Sequence, residues 1–142
     1  MLKSYLMGIV CLFASVNAFG KSVVMVCPAS SSITVSKQPY SEPWRAYEYE
    51  AIIPVPGLSA FGDQLPMWGQ GNDTVLKQMT VATWTDSVFL CWYQAEYGEE
   101  LVNSNVNLYG VFDSCTFPTA TGGSHSECYA SDPASCPLVC EL

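Results

Sequence analysis

The stretch that decides the fold is Met79-Thr80-Val81-Ala82-Thr83-Trp84-Thr85-Asp86-Ser87-Val88-Phe89-Leu90-Cys91-Trp92-Tyr93-Gln94. It is the densest run of β-branched and aromatic residues in the chain, and such residues favour strands. A polar break around Asp86 divides the run, so the pattern predicts a β-hairpin. The absence of Asn-Gly or Asp-Gly at the break leaves the turn type open.

A two-residue turn at Thr85-Asp86 or Asp86-Ser87 would decide which side chains share a face, because side chains alternate along a strand. One face would then carry Thr80, Ala82, Trp84, Phe89, Cys91 and Tyr93. The opposite face would carry Val81, Thr83, Val88, Leu90 and Trp92. A three-residue turn would shift this pairing. Neither set is polar enough for full exposure, so we expect the hairpin to be central to a sheet or to meet a partner.

Residues 1–18 have the pattern of a secretory signal peptide, with Lys3 in a short basic start and an apolar run over residues 5–16. Val16 and Ala18 are the small residues that signal peptidase requires, which predicts cleavage after Ala18. The apolar run is about a dozen residues, shorter than the roughly 20 of a membrane span. Val10 is too bulky for a lipoprotein cut before Cys11. The pattern predicts a secreted or periplasmic protein.

The mature chain of 124 residues suits one domain. We expect a β-domain over residues 19–114, with a cysteine-rich tail over residues 115–142 packed on the same domain. Four basic residues stand against thirteen acidic ones, a net charge of −9 after cleavage. This balance argues against binding to nucleic acid or to anionic membrane surfaces. We also expect no membrane insertion after signal cleavage.

Six cysteines remain after Cys11 is removed with the signal peptide, and an even number in an exported chain predicts three disulfides. They are Cys27, Cys91, Cys115, Cys128, Cys136 and Cys140. The count permits fifteen connectivities. We favour a bond between Cys27, at the end of the first strand, and Cys91 in the hairpin, which leaves the tail cysteines to pair locally. With no Cys-x-x-Cys pair and a single histidine, His125, we expect neither metal nor cofactor.

Short apolar or alternating runs predict further strands on either side of the hairpin. These runs cover residues 22–27, 33–36, 45–53 and 107–112. In the third, Glu48 and Glu50 alternate with Tyr47, Tyr49 and Ala51, so we expect one wet face. No helical spacing of apolar residues persists after the signal. The fold class is therefore all-β, a small antiparallel sandwich or partly open barrel with a disulfide-rich C-terminal tail.

Three stretches lack a strand pattern. Residues 57–72 hold four glycines and Pro66, which predicts a long loop of the kind that is often functional. Residues 101–107 are rich in Asn and Ser and follow an acidic turn. Residues 118–140 indicate a loop-rich cap held by disulfides rather than by a core of its own.

Two short motifs carry a family resemblance. They are Cys27-Pro28-Ala29-Ser30-Ser31-Ser32-Ile33 near the mature start and Cys91-Trp92-Tyr93 in the hairpin. With these motifs the chain resembles a family of short, uncharacterised, exported bacterial proteins. The resemblance implies a secreted β-domain and brings no known activity or catalytic residue with it. The cysteine-rich tail departs from the pattern expected of a minimal member.

Three polar groups are better explained as surface residues than as sites. Glu48 and Glu50 share one strand face, whereas glycosidase carboxyls act across a cleft. Ser124-His125-Ser126, with Asp113 or Asp132, lacks the Gly-x-Ser-x-Gly elbow of a serine hydrolase. Asp63, Asn72 and Asp73 lack the remaining ligands of a calcium loop. Asn72-Asp73-Thr74 fits the pattern of a glycosylation acceptor if the chain is eukaryotic, and it indicates only that these residues lie at the surface.

Aromatic residues are the strongest candidates for a binding surface, because sugar- and protein-binding surfaces are rich in them. The candidates are Trp68, Trp92, Trp44 and Tyr97, together with Tyr40. We expect a non-enzymatic module that binds an extracellular protein or glycan through residues 57–72 and a neighbouring aromatic face. One alternative is a small secreted hydrolase or hydrolase inhibitor whose tail presents His125 or a rigid disulfide loop. Another is a structural component of an envelope or matrix.

Overall fold

The computed structural model describes residues 20–39, 42, 45–72, 75–120 and 125–142. The predicted signal peptide lies outside these residues, as do Tyr40 and Trp44. Within them the chain forms ten strands, three short 3-10 turns and no α-helix. The strands are β1 Ser22–Met25, β2 Thr34–Lys37, β3 Tyr47–Pro54, β4 Gln64–Gly71, β5 Val75–Thr85, β6 Val88–Tyr97, β7 Glu100–Tyr109, β8 Cys115–Thr116, β9 Glu127–Tyr129 and β10 Leu138–Glu141. The 3-10 turns are Ser30–Ser32, Ser59–Phe61 and Pro133–Ser135.

The predicted hairpin is formed by β5 and β6. Its turn is Asp86-Ser87, and both residues have positive φ, 50° and 62°. Positive φ at both central positions is the type I′ geometry, whose twist matches that of paired strands. Trp84 pairs with Phe89 and Ala82 with Cys91, so the predicted faces are confirmed next to the turn.

Thr80 is the exception to the predicted faces. The register between β5 and β6 shifts between Met79 and Val81, so Met79 rather than Thr80 lies opposite Tyr93. A β-bulge inserts one extra residue and moves the side chains beyond it to the other face, until a second shift between Leu76 and Met79 restores the original alternation. Met79 is therefore buried in the core, whereas Thr80 is only partly buried and its hydroxyl donates to the carbonyl of Trp92 at 3.3 Å.

The hairpin lies inside a seven-stranded antiparallel sheet of order β2-β3-β4-β7-β6-β5-β9. On one face of β6, Phe89, Cys91 and Tyr93 are completely buried. On the opposite face Leu90 and Trp92 are half-buried. The expectation that the hairpin is internal to a sheet is confirmed. The face that carries Leu90 and Trp92 is turned away from the core.

A second antiparallel sheet of order β1-β10-β8 covers the first. Met25 on β1 and Leu138 on β10 belong to the same buried cluster as Tyr49, Phe89 and Val106 of the larger sheet. The two sheets are not closed into a barrel. The arrangement is therefore the sandwich rather than the barrel. We call the side of the seven-stranded sheet turned away from the smaller sheet the outer face.

Three disulfides connect the six cysteines that follow the predicted signal peptide. Cys27 is bonded to Cys91 across 64 residues, which confirms the favoured pairing. Cys115 is bonded to Cys140 within the smaller sheet, where the two residues are directly paired. Cys128, on β9, is bonded to Cys136, just before β10. Two of the three bonds therefore join the strands of one sheet to segments that flank the other.

The prediction of a long loop over residues 57–72 is wrong for residues 64–71, which form β4. Leu65 and Met67 are buried while Pro66 and Trp68 are exposed, the alternation of a half-buried strand. Proline disrupts a ladder because it has no N–H. Here β4 pairs with β7 only at Trp68, so Pro66 lies outside the ladder on that side.

The last long strand also begins earlier than predicted, since β7 starts at Glu100 instead of residue 107. Val106 and Leu108 are buried, while the intervening asparagines lie on the outer face. The tail is more regular than the predicted loop-rich cap, because it supplies β8, β9 and β10 to both sheets. In the described part of the chain there is no helix long and apolar enough to cross a membrane.

Candidate binding face

The outer face of β7 carries Asn103, Asn105 and Asn107 at alternate positions, which we call the asparagine row. Alternate residues of a strand project to the same side. Trp68 on β4 lies opposite Asn107, and Trp92 on β6 lies opposite Asn105. Two tryptophans therefore flank the row, one from each neighbouring strand.

Trp68 is held outward by the residues on either side of it. Met67, which precedes it, is completely buried in the core, and the alternation of β4 places Trp68 on the outer face. Its side chain is 52% exposed, an unusually open position for a residue of this size. On β3 its partner is Glu50. Half of this indole surface is available to a ligand.

A depression of about 480 Å³ lies beside Trp68, across β3, β4 and β7. Its volume is within the range of roughly 300–1,000 Å³ found for small-molecule sites. It is lined by Glu48, Tyr49, Glu50, Trp68, Gly69, Gln70, Asn105, Asn107 and Tyr109. Two exposed aromatic side chains and a set of amide and carboxylate groups thus converge on one hollow.

Gly69 allows β4 and β7 to approach each other closely at this depression. A Cβ atom at this position would lie 2.0 Å from the backbone carbonyl oxygen of Asn105. That distance is far below any tolerated contact, so no side chain fits here without moving one of the strands. The glycine that made residues 57–72 look like a loop is required by the packing of two strands.

The depression is acidic. Glu48 and Glu50 project from one strand two residues apart, about 7 Å by strand geometry. Among the described residues neither carboxylate forms a salt bridge, and the lining includes no Lys or Arg. Arg45 lies at the margin, where its Nε donates to Oε1 of Gln70 at 3.5 Å. An anionic ligand would therefore meet two carboxylates within the depression and one guanidinium at its margin.

One side-chain atom of Asn107 has no hydrogen-bond partner among the described residues. Its Nδ2 donates a hydrogen bond to the hydroxyl oxygen of Tyr109 at 3.0 Å. Its Oδ1 is covered, yet it has no hydrogen-bond partner within the described part of the chain. An unpaired buried acceptor costs about 1–3 kcal/mol. Because this oxygen has almost no accessible surface, a ligand could donate to it only if a neighbouring side chain moved.

A second depression of about 390 Å³ lies on the other side of Trp68. It is lined by Ser32, Thr34, Glu50, Ala51, Ile52, Pro66, Met67 and Trp68. Ile52 and Pro66 make this hollow more apolar than the first. Trp68 stands between the two hollows, so a ligand can reach the indole from either flank.

The structure separates the aromatic residues that the sequence predicts for binding. Trp68 and Trp92 share the outer face. Tyr97 lies at the far end of β6, where it pairs with Glu100, five residues along β7 from Asn105 and thus about 17 Å away. Trp44 and Tyr40 lie outside the described residues.

Tyr109, Gln70 and the asparagine row were not among the predicted site residues. Asn103 and Asn105 were missed because residues 101–107 were not predicted to form a strand, and Gln70 because residues 57–72 were predicted to form a loop. The sequence does contain a signal for the asparagine row, since asparagine alternates with Val102, Ser104, Val106 and Leu108. Such alternation is typical of a half-buried strand with one polar face.

The described residues considered for catalysis or metal binding lie on separate parts of the fold. Glu48 and Glu50 stand side by side on one strand instead of facing each other across a hollow. Nδ1 of His125 lies 3.3 Å from the backbone oxygen of Phe117, a local contact in the tail. Among the residues that the structure describes, no three Asp, Glu, His or Cys side chains are grouped to hold a metal ion.

The fold and this face define a disulfide-bonded, two-sheet β-protein with a polar, aromatic hollow on the outer face of its larger sheet. A scan against protein-family models, a search of curated proteins and a search of solved structures each found no significant match. The resemblance to short exported bacterial proteins therefore stays a prediction.

Proposed function

We propose that this protein is an exported, non-enzymatic glycan-binding module and that its binding site is the depression beside Trp68. The observation that carries the proposal is a half-exposed indole between two hollows, surrounded by amide and carboxylate groups on a rigid sheet. A sugar ring offers apolar C–H faces and polar hydroxyl edges. An aromatic ring matches the former, and Asn, Gln and Glu side chains match the latter.

A glycan fits this face better than a protein does. Peptide segments that bind to sheets usually add to an exposed edge, where backbone groups are unpaired. The depression lies on β3, β4 and β7, which are internal strands of the sheet. Its lining is also more polar than the apolar centre of a typical protein interface.

The absence of catalysis is part of the proposal. Hydrolysis of a glycosidic bond needs two carboxyls that flank that bond, one acting as acid and the other as base or nucleophile. Glu48 and Glu50 project in parallel from β3, so both would approach a sugar from the same side. We expect bound glycans to be recovered intact after prolonged incubation, and release of reducing sugar would contradict the non-enzymatic assignment.

Export is supported by the three disulfides, since such bonds persist mainly in oxidising compartments. Mass analysis of protein recovered from the extracellular or periplasmic fraction should show a chain beginning at Phe19. An intact Met1, or a lipid on Cys11, would contradict this part of the proposal.

The decisive experiment screens the purified chain on a glycan array and then measures the affinity of disaccharide hits by calorimetry. Trp68→Ala should weaken that affinity about three- to tenfold, the loss expected for one aromatic contact. Phe61→Ala is the matched control, because Phe61 is equally exposed, at 53%, and lines neither hollow.

Both variants should keep nearly the melting temperature of the parent chain. Trp68→Ala would instead lose several kcal/mol of stability if the indole filled a core position. That result would show that Trp68 stabilises the fold by packing rather than forming part of a binding site. An array without any glycan hit, combined with capture of a protein through this face, would replace the glycan by a protein partner.

A further inference from the structure

Three aromatic side chains lie at regular intervals across the outer face. Tyr129 is on β9, Trp92 on β6 and Trp68 on β4, and one other strand lies between each of these strands and the next. Neighbouring strands are about 4.8 Å apart, so Tyr129 and Trp92 are about 10 Å apart, and Trp92 and Trp68, which are also offset by two residues along the strands, are about 12 Å apart. We call these three residues the aromatic line.

The strand register places the line nearly perpendicular to the strands. Tyr129 lies opposite Val81, Val81 opposite Trp92, and Trp92 opposite Asn105. Trp68 lies opposite Asn107, two residues further along β7. The line therefore crosses β9, β5, β6, β7 and β4 in order and enters the depression at Trp68.

Each member of the line offers ring surface to solvent. Tyr129 is 73% exposed, and its hydroxyl donates to Oε2 of Glu127 at 3.2 Å, which restrains the ring. Trp92 is half-buried against the sheet. Between Trp92 and Trp68 the asparagine row supplies hydrogen-bonding groups, and Gln94 extends them on β6 opposite Asn103.

We propose that the outer face binds an internal stretch of an extended, uncharged polysaccharide chain that runs across the strands along the aromatic line. This inference rests on the proposed function and extends it from a single hollow to a platform. A pyranose ring in an extended chain is about as long as the spacing between strands. Every second ring of such a chain can then meet an aromatic side chain.

The charges along the aromatic line disfavour acidic polysaccharides. Glu48 and Glu50 line the depression at one end of the platform, and Glu127 lies beside Tyr129 at the other. Within the described residues, the positions paired along the line include no Lys or Arg. The carboxylates of a polyuronate would be repelled by these glutamates, and salt would screen that repulsion only in part.

The test is a length series of oligosaccharides of one linkage, with cello- and chito-oligosaccharides as the two probes, titrated into the full mature chain. Affinity should increase with length until the oligosaccharide spans all three aromatic residues. Trp92→Ala and Tyr129→Ala should each lower the affinity of the longest oligosaccharide about three- to tenfold and leave disaccharide binding unchanged. Trp68→Ala should lower both, and Phe61→Ala neither.

The outcomes separate this inference from the proposed function. Disaccharide binding that depends on Trp68 but does not strengthen with length would overturn the platform and leave the glycan site in place. Failure of both probes at every length, together with an empty glycan array, would overturn both. Polygalacturonate binding as tight as that of the longest neutral oligosaccharide would overturn the preference for an uncharged chain. Unchanged melting temperatures in the three variants exclude misfolding as the cause of any loss.

Discussion

The hydroxyl of Tyr93 donates a hydrogen bond to the backbone oxygen of Pro28, immediately beside the disulfide between Cys27 and Cys91. A covalent bond and a buried polar bond thus hold the same two segments together. One segment follows β1 of the smaller sheet, and the other is the centre of β6 in the larger sheet. This double attachment fixes the end of a four-residue strand against the core that the two sheets share.

Removal of the Cys27 to Cys91 bond should therefore be the most damaging loss of a disulfide. The entropy of closing a 64-residue loop corresponds to about 4 kcal/mol, compared with about 2.5 kcal/mol for the 8-residue loop of Cys128 and Cys136. We expect Cys27→Ala with Cys91→Ala to lower the free energy of unfolding more than the matched double variant at Cys128 and Cys136. Chemical denaturation of both proteins measures the difference.

The prediction is tested by which of the two double variants loses more free energy of unfolding. Equal stabilities would mean that the loop between Cys27 and Cys91 is already compact in the unfolded chain. A larger loss for the short loop would contradict the entropic explanation altogether. Peptide mapping without reduction gives an independent check, since it should recover one fragment that joins Cys27 to Cys91 and no fragment that joins Cys27 to the tail.

Tyr93 should make the fold sensitive to alkali. Burial raises the pKa of its hydroxyl well above the usual value of about 10. The folded chain then keeps a proton that the unfolded chain releases, so this contribution to stability is present below about pH 10 and is lost as the pH rises through the folded pKa. Stability measured at increasing alkaline pH should fall, and Tyr93→Phe should remove part of that slope while costing about 1 kcal/mol at neutral pH.

Tyrosinate absorbance provides the control for Tyr93. Part of the tyrosinate absorbance of the parent chain should appear only together with unfolding, and that late component should be smaller in Tyr93→Phe. A parent chain whose tyrosines all ionise before unfolding would contradict a buried, proton-retaining hydroxyl.

The hairpin was predictable because its information is local. Val88 to Tyr93 alternates in a run of strand-forming residues, and the break at Asp86 is polar, so both strands and the shared faces followed from the sequence. The displacement of Thr80 was not predictable. A bulge is selected by the fit of Met79 into a core contributed by distant strands, and no pattern within β5 records that fit.

The binding face was harder to predict, because its residues belong to three strands that come together only in the fold. Gly69 argued for a loop when taken alone, and its actual role depends on the carbonyl of Asn105, 36 residues further along the chain. Trp68 was identified from its residue type. Its neighbours Gln70 and Tyr109 were not, since their proximity follows from the order β4-β7 in the sheet.

The turn of the hairpin contains a correctable strain. Ser87 has φ of 62°, a conformation that costs an L-residue roughly 1–2 kcal/mol and glycine almost nothing. We expect Ser87→Gly to stabilise the chain by about 0.5 kcal/mol, because the greater flexibility of glycine in the unfolded chain offsets part of the gain. Thermal unfolding of the variant measures it. A lower melting temperature would mean that the Ser87 side chain makes a compensating contact.

Gly69→Ala should damage both the fold and the candidate site. The new Cβ would lie 2.0 Å from the carbonyl oxygen of Asn105, so β4 and β7 must move apart where they form the depression. Overpacking of this kind costs about 1–3 kcal/mol. Because Trp68 and Asn107 face each other across the same two strands, the variant should also bind disaccharides more weakly than the parent chain, even at temperatures where it is fully folded.

Gly20→Ala is the matched control for this variant, since a Cβ at Gly20 meets nothing within 4 Å and its φ is not in the left-handed region. It should leave stability and binding unchanged. Denaturant titration and calorimetry on the three proteins separate the two effects. A Gly69→Ala variant as stable as the parent chain would show that β7 can move away from β4 without loss of stability. One that is destabilised but binds normally would place the glycan site away from the contact between β4 and β7.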